Sequence, residues 1–261
     1  MPHPPATANL SSMGRGFEVI AALSELARSS GVGASVTAVA ERLGRDRSQV
    51  SRTLAALDRR GYVTRQPHRG YRLAWRWYAE AQEITELRLR TEGLTILDEL
   101  ADEVGESCFI GVLRGADTVT IVESVPPASR MIGSWIGRAY PADCSDAGQA
   151  VLWDADDDEV RDVFAVATFD GAGPRAPRSV DEFLARLDSA RERGFAIVDE
   201  EAEAGLYSVS APVRDFRFEV VAAVQIVGER AALIDRTSEL GERCRTAAGR
   251  LSSALGVPSS D

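Results

Sequence analysis

The chain has 261 residues, 44% of them hydrophobic and 27% charged, with a net charge of −10 at pH 7. That length suits two domains of about 75 and 170 residues, each able to bury its own core. No apolar run reaches the roughly 20 residues that span a bilayer, and Cys108, Cys144 and Cys244 are too scattered for a disulfide framework or a metal site.

The opening MPHPPATANLSS has neither an apolar core nor a basic start, so residues 1–13 read as a disordered tail rather than a secretion signal. RGFEVIAALSELARS follows as a helix, with Phe17, Ile20, Leu23 and Ala27 expected on its buried face. VTAVAERLG is a second helix, with Val36, Val39, Ala40 and Leu43 at one-turn spacing and Gly44 to stop it. Asp46 can cap a third helix, RSQVSRTLAALDRRG, whose buried stripe is Val50, Leu54 and Leu57 and which ends at Gly61. YVTRQPHRGYRLA alternates as a hairpin with Pro67, His68, Arg69 and Gly70 at its tip. Two helices joined by about four residues and followed by a hairpin make a winged helix-turn-helix, whose second helix enters the DNA major groove.

The exposed positions around that helix are Arg45, Arg47, Ser48, Gln49, Ser51 and Arg52, the residue types that bond phosphates and base edges. Arg47 and Arg52 suit phosphate or guanine, Gln49 and Ser51 suit base edges, and Arg69 on the wing suits backbone or minor groove. Solvation alone explains many charged helical faces, but the distribution of charge argues for more. Residues 1–78 hold twelve arginines against five acids, a net +7, which leaves −17 on the remainder. A basic arm on an acidic body points to nucleic acid.

WRWYAEAQEITELRLRTEGLTILDELADEVGE reads as helix, with Gly93 expected to divide a linker helix (76–92) from the first helix of the next domain. Trp75, Trp77 and Tyr78 are expected to pack on the wing or on a partner subunit. SCFIGVLRG and DTVTIVESV then form a hairpin turning at Arg114–Asp117. Helices are expected near 145–153, 156–166 and 179–193, followed by strands at GFAIV, LYSVSAPVR and a central EVVAAVQIVG. The last helix, near 231–255, carries Leu233, Leu240, Cys244, Ala247, Leu251 and Leu255 on one stripe. GAGPRAP at 171–177 reads as a loop rather than a phosphate cradle, because no strand feeds it. The only histidines are His3 and His68, so a Ser-His-Asp arrangement in the second domain is excluded. No metal or cofactor is implied. Pairs of carboxylates remain open as a catalytic device.

RGFEVIAALSELA, SVTAVAERLGRDRSQVSRTLAALDRRGYVTR and the wing ending YRLA resemble the DNA-binding half of IclR-type (isocitrate lyase regulator) transcription regulators. ELADEVGESCFIGVL, GRAYPADCSDAGQAVL, RERGFAIVDEEAEAGLYSVSAPV and EVVAAVQIVG resemble the second half of the same family, in the same order. The resemblance covers roughly residues 14–256. It implies an α+β protein with an N-terminal winged helix-turn-helix domain (14–75), a linker helix, a C-terminal GAF-like effector-binding domain (93–256) and a short tail (257–261). It also implies a double-stranded DNA operator, a small-molecule effector, a homodimer or dimer of dimers, and repression or activation of catabolic genes in the cytoplasm, away from any membrane.

The same resemblance places the effector against Ile132, Trp135, Tyr140, Asp146, Ala147, Val198, Ser208, Gln225 and Val227. Asp146 stands where the family offers backbone amides to a ligand carboxylate, so it must point away or be protonated. Val198 and Val227 remove polar partners while Trp135 and Tyr140 add aromatic surface, so a larger, more apolar cavity and an aromatic or otherwise bulky acid are expected. Trp135 and Tyr140 serve equally well as core or interface residues. Two rival readings stand beside this one: a small-molecule enzyme with an appended winged-helix module, and a winged helix that binds protein rather than DNA.

Overall fold

The computed structural model describes residues 11–30, 33–67, 70–127, 129, 134–171 and 173–257. The chain divides into two compact units, residues 1–84 and 85–261.

In the first unit, α1 (Ser12–Ser30), α2 (Val36–Leu43) and α3 (Arg47–Arg59) precede a two-stranded antiparallel hairpin of β1 (Val63–Gln66) and β2 (Gly70–Leu73). Each start and stop has a local cause. Ser35 caps α2 by accepting from the Ala38 amide, and Gly44 ends it at φ +60°. Asp46 caps α3 by accepting from the Ser48 and Gln49 amides. Val63 pairs with Leu73 and Gln66 with Gly70. The hairpin is bound to the loop before α2 by two 2.8 Å hydrogen bonds between Ala34 and Tyr71. Gly70, at φ +81°, passes so close to the Ala34 carbonyl that no side chain fits there.

The core of this unit joins Val19, Ala22 and Leu23 of α1 to Val39, Ala40, Val50, Leu54, Val63 and Tyr71. The expected stripe on α1 therefore holds at Leu23, is only half-buried at Ile20 and Ala27, and fails at Phe17. Phe17 is 59% exposed and Met13 72%, because the helix carries apolar residues on two faces and α2 and α3 cover only the Val19–Leu23 one. Helix α1 already begins at Ser12, which shortens the expected tail, and the rest of that tail lies outside the described residues.

α4 (Arg76–Val104) is a single helix, so the expected break at Gly93 does not occur. Gly93 is buried instead, and a Cβ there would come within 2.5 Å of Ile110 Cδ1. The glycine makes room for a strand rather than ending a helix. At the start of α4, Trp77 donates from its indole to the Tyr62 carbonyl at 2.8 Å and tilts its ring against Tyr62 at 5.0 Å. Trp75 is largely exposed, and the Tyr78 side chain lies outside what is described.

The second unit is built on a six-stranded antiparallel sheet in the order β5-β4-β3-β8-β7-β6. β3 (Ser107–Arg114) and β4 (Asp117–Ser124) form the expected hairpin, and β6 (Ala196–Asp199), β7 (Leu206–Arg214) and β8 (Val220–Glu229) the expected strands, with β8 central. β5 (Ala139–Pro141) was not foreseen. Three residues of edge strand pairing Ala139 with Val119 leave no period to read.

On one face, the 85–104 part of α4 and α9 (Thr237–Ala254) bury Leu97, Leu240, Cys244 and Leu251 against Ile110, Val209, Val224 and Ile226. The other face carries α5 (Gly148–Val151), α6 (Asp157–Val163) and α7 (Val180–Arg193), which pack Ala150, Val160, Phe183 and Leu187 against Ala223. α5 is a single turn, shorter than expected. The last helix is not one piece either. α8 (Arg230–Leu233) is followed by a 3-10 turn at Ile234–Arg236 before α9 begins, although the whole expected apolar stripe is buried. The loop reading of 171–177 agrees with the described part of that segment, where no strand or helix is assigned.

Candidate nucleic-acid interface and ligand cavity

In the first unit, Arg47, Ser48, Gln49, Ser51 and Arg52 are all exposed along the N-terminal half of α3. The Asp46 cap orders this surface: its carboxylate accepts from two backbone amides and, at 2.5 Å, from the Ser48 hydroxyl. Those bonds hold Asp46 below the usual carboxylate range, the Ser48 hydroxyl contributing most. Ser48 therefore has its hydroxyl committed to the cap, while the Gln49 amide and the Arg47 and Arg52 guanidiniums stand outward. Arg45 differs from the others, being half-buried and ion-paired with Glu18 of α1. Arg69 lies outside the described residues.

In the second unit, a cavity of about 40 Å³ opens between the β3–β4–β8 surface and the loops that cross it. Trp135 and Tyr140 line it with ring centroids 5.4 Å apart. The inward face of β4 supplies Thr118 and Thr120, and β8 supplies Gln225. Thr118 donates to Ser145 Oγ at 2.8 Å. Gly148 closes the turn that presents Ser145 and Asp146, passing too near the Ala142 carbonyl to admit a Cβ. Asp146 lines the cavity and accepts a 2.5 Å hydrogen bond from Ser208 Oγ. Desolvation lifts its pKa to about 6, against the lowering effect of Ser208.

Of the effector residues expected from the sequence, Trp135, Tyr140, Asp146 and Gln225 thus share one cavity. Ser208 reaches it only through Asp146. Ala147 is buried behind the wall, where it meets the Gly111 position, and Val198 and Val227 are buried in the sheet without lining the cavity. Ile132 lies outside the described residues. The inner space is small, and hydroxyl, amide, carboxyl and guanidinium groups stand in its wall beside the rings of Trp135 and Tyr140. Sequence reasoning missed Thr118, Thr120, Arg138 and Glu203. The period-two threonines of DTVTIVES carried a signal for the first two, whereas Arg138 and Glu203 sit on loops whose path no pattern reveals.

Beside the cavity, Glu201 is 4% exposed and pairs with Arg186 at 2.5 Å through Oε1, while Oε2 has no partner. Burial outweighs Arg186 and lifts the Glu201 pKa to about 7. All three cysteines are buried thiols, and desolvation raises the pKa of each. Among the described residues no group of His, Cys, Asp and Glu could hold a metal ion, and no helix is long and apolar enough to cross a membrane.

Comparison with known proteins supplies the context. A model of the C-terminal domain of IclR bacterial transcriptional regulators matches residues 81–253, and a MarR family model matches residues 14–72. The Pca regulon regulatory protein of Pseudomonas putida is 26% identical over 220 residues, which cover 83% of this chain and 74% of that protein. The HTH-type transcriptional regulator XynR of Escherichia coli K12 is 25% identical over 229 residues, covering 85% and 90%. A transcriptional regulator from Rhodococcus sp. RHA1 superposes with a TM-score of 0.61 at 27% identity over 94% of this chain and 98% of its own. A winged helix-turn-helix ahead of an IclR-type effector domain places this chain in the IclR family of bacterial DNA-binding transcriptional regulators.

Proposed function

We propose that this regulator binds its operator as a homodimer, alone or paired into a dimer of dimers, and that a small organic acid in the cavity changes its affinity for DNA. The carrying observation is the surface of α3, where Arg47, Gln49, Ser51 and Arg52 stand exposed on a module of net charge +7. The roles divide along the chain: residues 14–75 read DNA, 76–92 link, and 93–256 hold the effector. Since α4 does not end at Gly93, the linker and the first effector-domain helix are stretches of one helix.

A dimer is favoured because one winged helix contacts too few base pairs for genomic specificity. Two apolar surfaces support it. On α1, Met13 and Phe17 lie opposite the core. On α4, Ile84, Leu87 and Leu94 are exposed at heptad-like spacing, opposite the stripe that buries Leu89, Ile96 and Leu97. Effector binding then favours one of two dimer arrangements, to the extent that it binds them unequally. The protein works by binding rather than turnover, in a reducing cytoplasm that suits its buried thiols.

The test is a gel shift with the protein's own promoter fragment, with and without candidate acids. Retardation at low ionic strength that weakens steeply with added salt is expected. No retardation at low salt, with or without any acid, would overturn the reading.

A further inference from the structure

The cavity carries its charges in an unusual order. Its carboxyl, Asp146, has a hydroxyl partner but no cation among the described residues. A second acid, Glu203, also lines the cavity. Among the described residues the one cation in the lining is Arg138, which is exposed, lies 5.1 Å over the Trp135 ring and has no carboxylate partner there. Trp135 also holds a buried indole N–H with no acceptor among the described residues. An effector that was only an anion would meet Arg138 but also the like charges of Asp146 and Glu203. A half-buried carboxyl with no cation beside it calls for a positive partner, and an uncommitted guanidinium calls for a carboxylate.

Resting on the reading of this cavity as the effector site, we propose that it takes a zwitterion: an organic acid that also bears an ammonium group, the ammonium received by Asp146 and the carboxylate by Arg138. Thr118, Ser145 and Gln225 supply neutral hydrogen-bonding groups to the same space. The cavity adjoins an open groove of about 860 Å³ that shares Trp135, Glu203 and Leu206, so the body of the effector can extend beyond the 40 Å³ inner space. Binding of the ammonium displaces the proton from Asp146, so affinity rises with pH.

The experiment is calorimetry and thermal shift on the full chain with glycine, β-alanine, 4-aminobutyrate and 5-aminopentanoate, each against the unsubstituted acid of equal length. At least one amino acid is expected to bind saturably at least about tenfold tighter than its counterpart. Its affinity is expected to rise roughly tenfold from pH 5 to 7.5 as Asp146 ionises. Glu201, which faces Asp146 and titrates in the same window, is separated by repeating the pH series on Asp146→Asn, where the rise should vanish. Asp146→Asn, which keeps the acceptor for Ser208, should abolish the amine preference, and Arg138→Gln should weaken the amino acid and the plain acid alike. Binding by none of the amino acids, equal or tighter binding of the plain acids, or a preference that survives Asp146→Asn overturns the proposal. Operator retardation without any ligand is read in parallel, so a failed zwitterion leaves the DNA-binding reading standing.

Discussion

Single side chains set both ends of the proposed activity. On α3, Gln49 and Arg52 are exposed, with Arg52 near enough to Asp46 only to act on it through space, whereas Arg45 is held by Glu18. Arg52→Ala should therefore weaken operator binding by about 1–3 kcal/mol if it reads a guanine, and Arg45→Ala should act mainly on stability. Gel-shift titration beside thermal unfolding separates the two. If Arg52→Ala and Gln49→Ala both leave affinity unchanged, the assigned DNA face is wrong. In the effector unit, Glu201 has its folded pKa raised to about 7 from an ordinary 4.5. A raised acid favours its protonated form in the native state, so its contribution to stability is present below pH 4.5 and is lost as pH rises through 7. Asp146 adds in the same sense up to about pH 6. Glu201→Gln should shrink the fall in stability across this window by on the order of 1–3 kcal/mol. Chemical denaturation at pH 5 and pH 8 measures it, and an unchanged difference would show that Glu201 is not the buried acid at work.

At the scale of elements, small residues decide how closely helices approach the sheet. Gly241 of α9 lies over the Phe195 ring, where an added Cβ would come within 2.5 Å of ring carbons. Alanine is the better helix former by about 1 kcal/mol, but the ring is enclosed by α9 and the sheet and cannot yield as a flexible side-chain end would. Gly241→Ala is expected to lose about 1–3 kcal/mol net through overpacking. A stabilising outcome in denaturant titration would mean the Phe195 site is looser than it stands here. Gly93 shows the same principle on α4. Its glycine gave a plausible helix stop to sequence reasoning, yet the neighbouring Ile110 explains it as a contact. An isolated glycine in a helical pattern does not say whether the backbone turns or a neighbour intrudes.

At the scale of the molecule, the apolar surfaces on α1 and α4 belong to the dimer proposal. Phe17→Glu combined with Leu87→Glu should give a monomer by sedimentation velocity, with operator affinity lost along with the second half-site. A dimer that persists in the double variant would place the interface elsewhere. The charge division acts at this scale as well. An acidic body of −17 repels phosphate and leaves the +7 module as the part DNA can approach.

Much of this architecture could be read from the chain alone, since it rests on local physics. Periods of 3.6 and 2, the cap Asp46, the stops Gly44 and Gly61, and the arginine count of the first 78 residues depend only on near neighbours in sequence. What the tertiary structure decided was every choice between equivalent faces and every meeting of distant residues. It put Phe17 outside by covering the other side of α1, kept α4 whole through Gly93, and withdrew Val198 and Val227 from the cavity. It also gathered Asp146, Arg138, Thr118 and Gln225 around one small space. No periodicity encodes such a gathering, because it is fixed by how strands and loops far apart in the chain pack together.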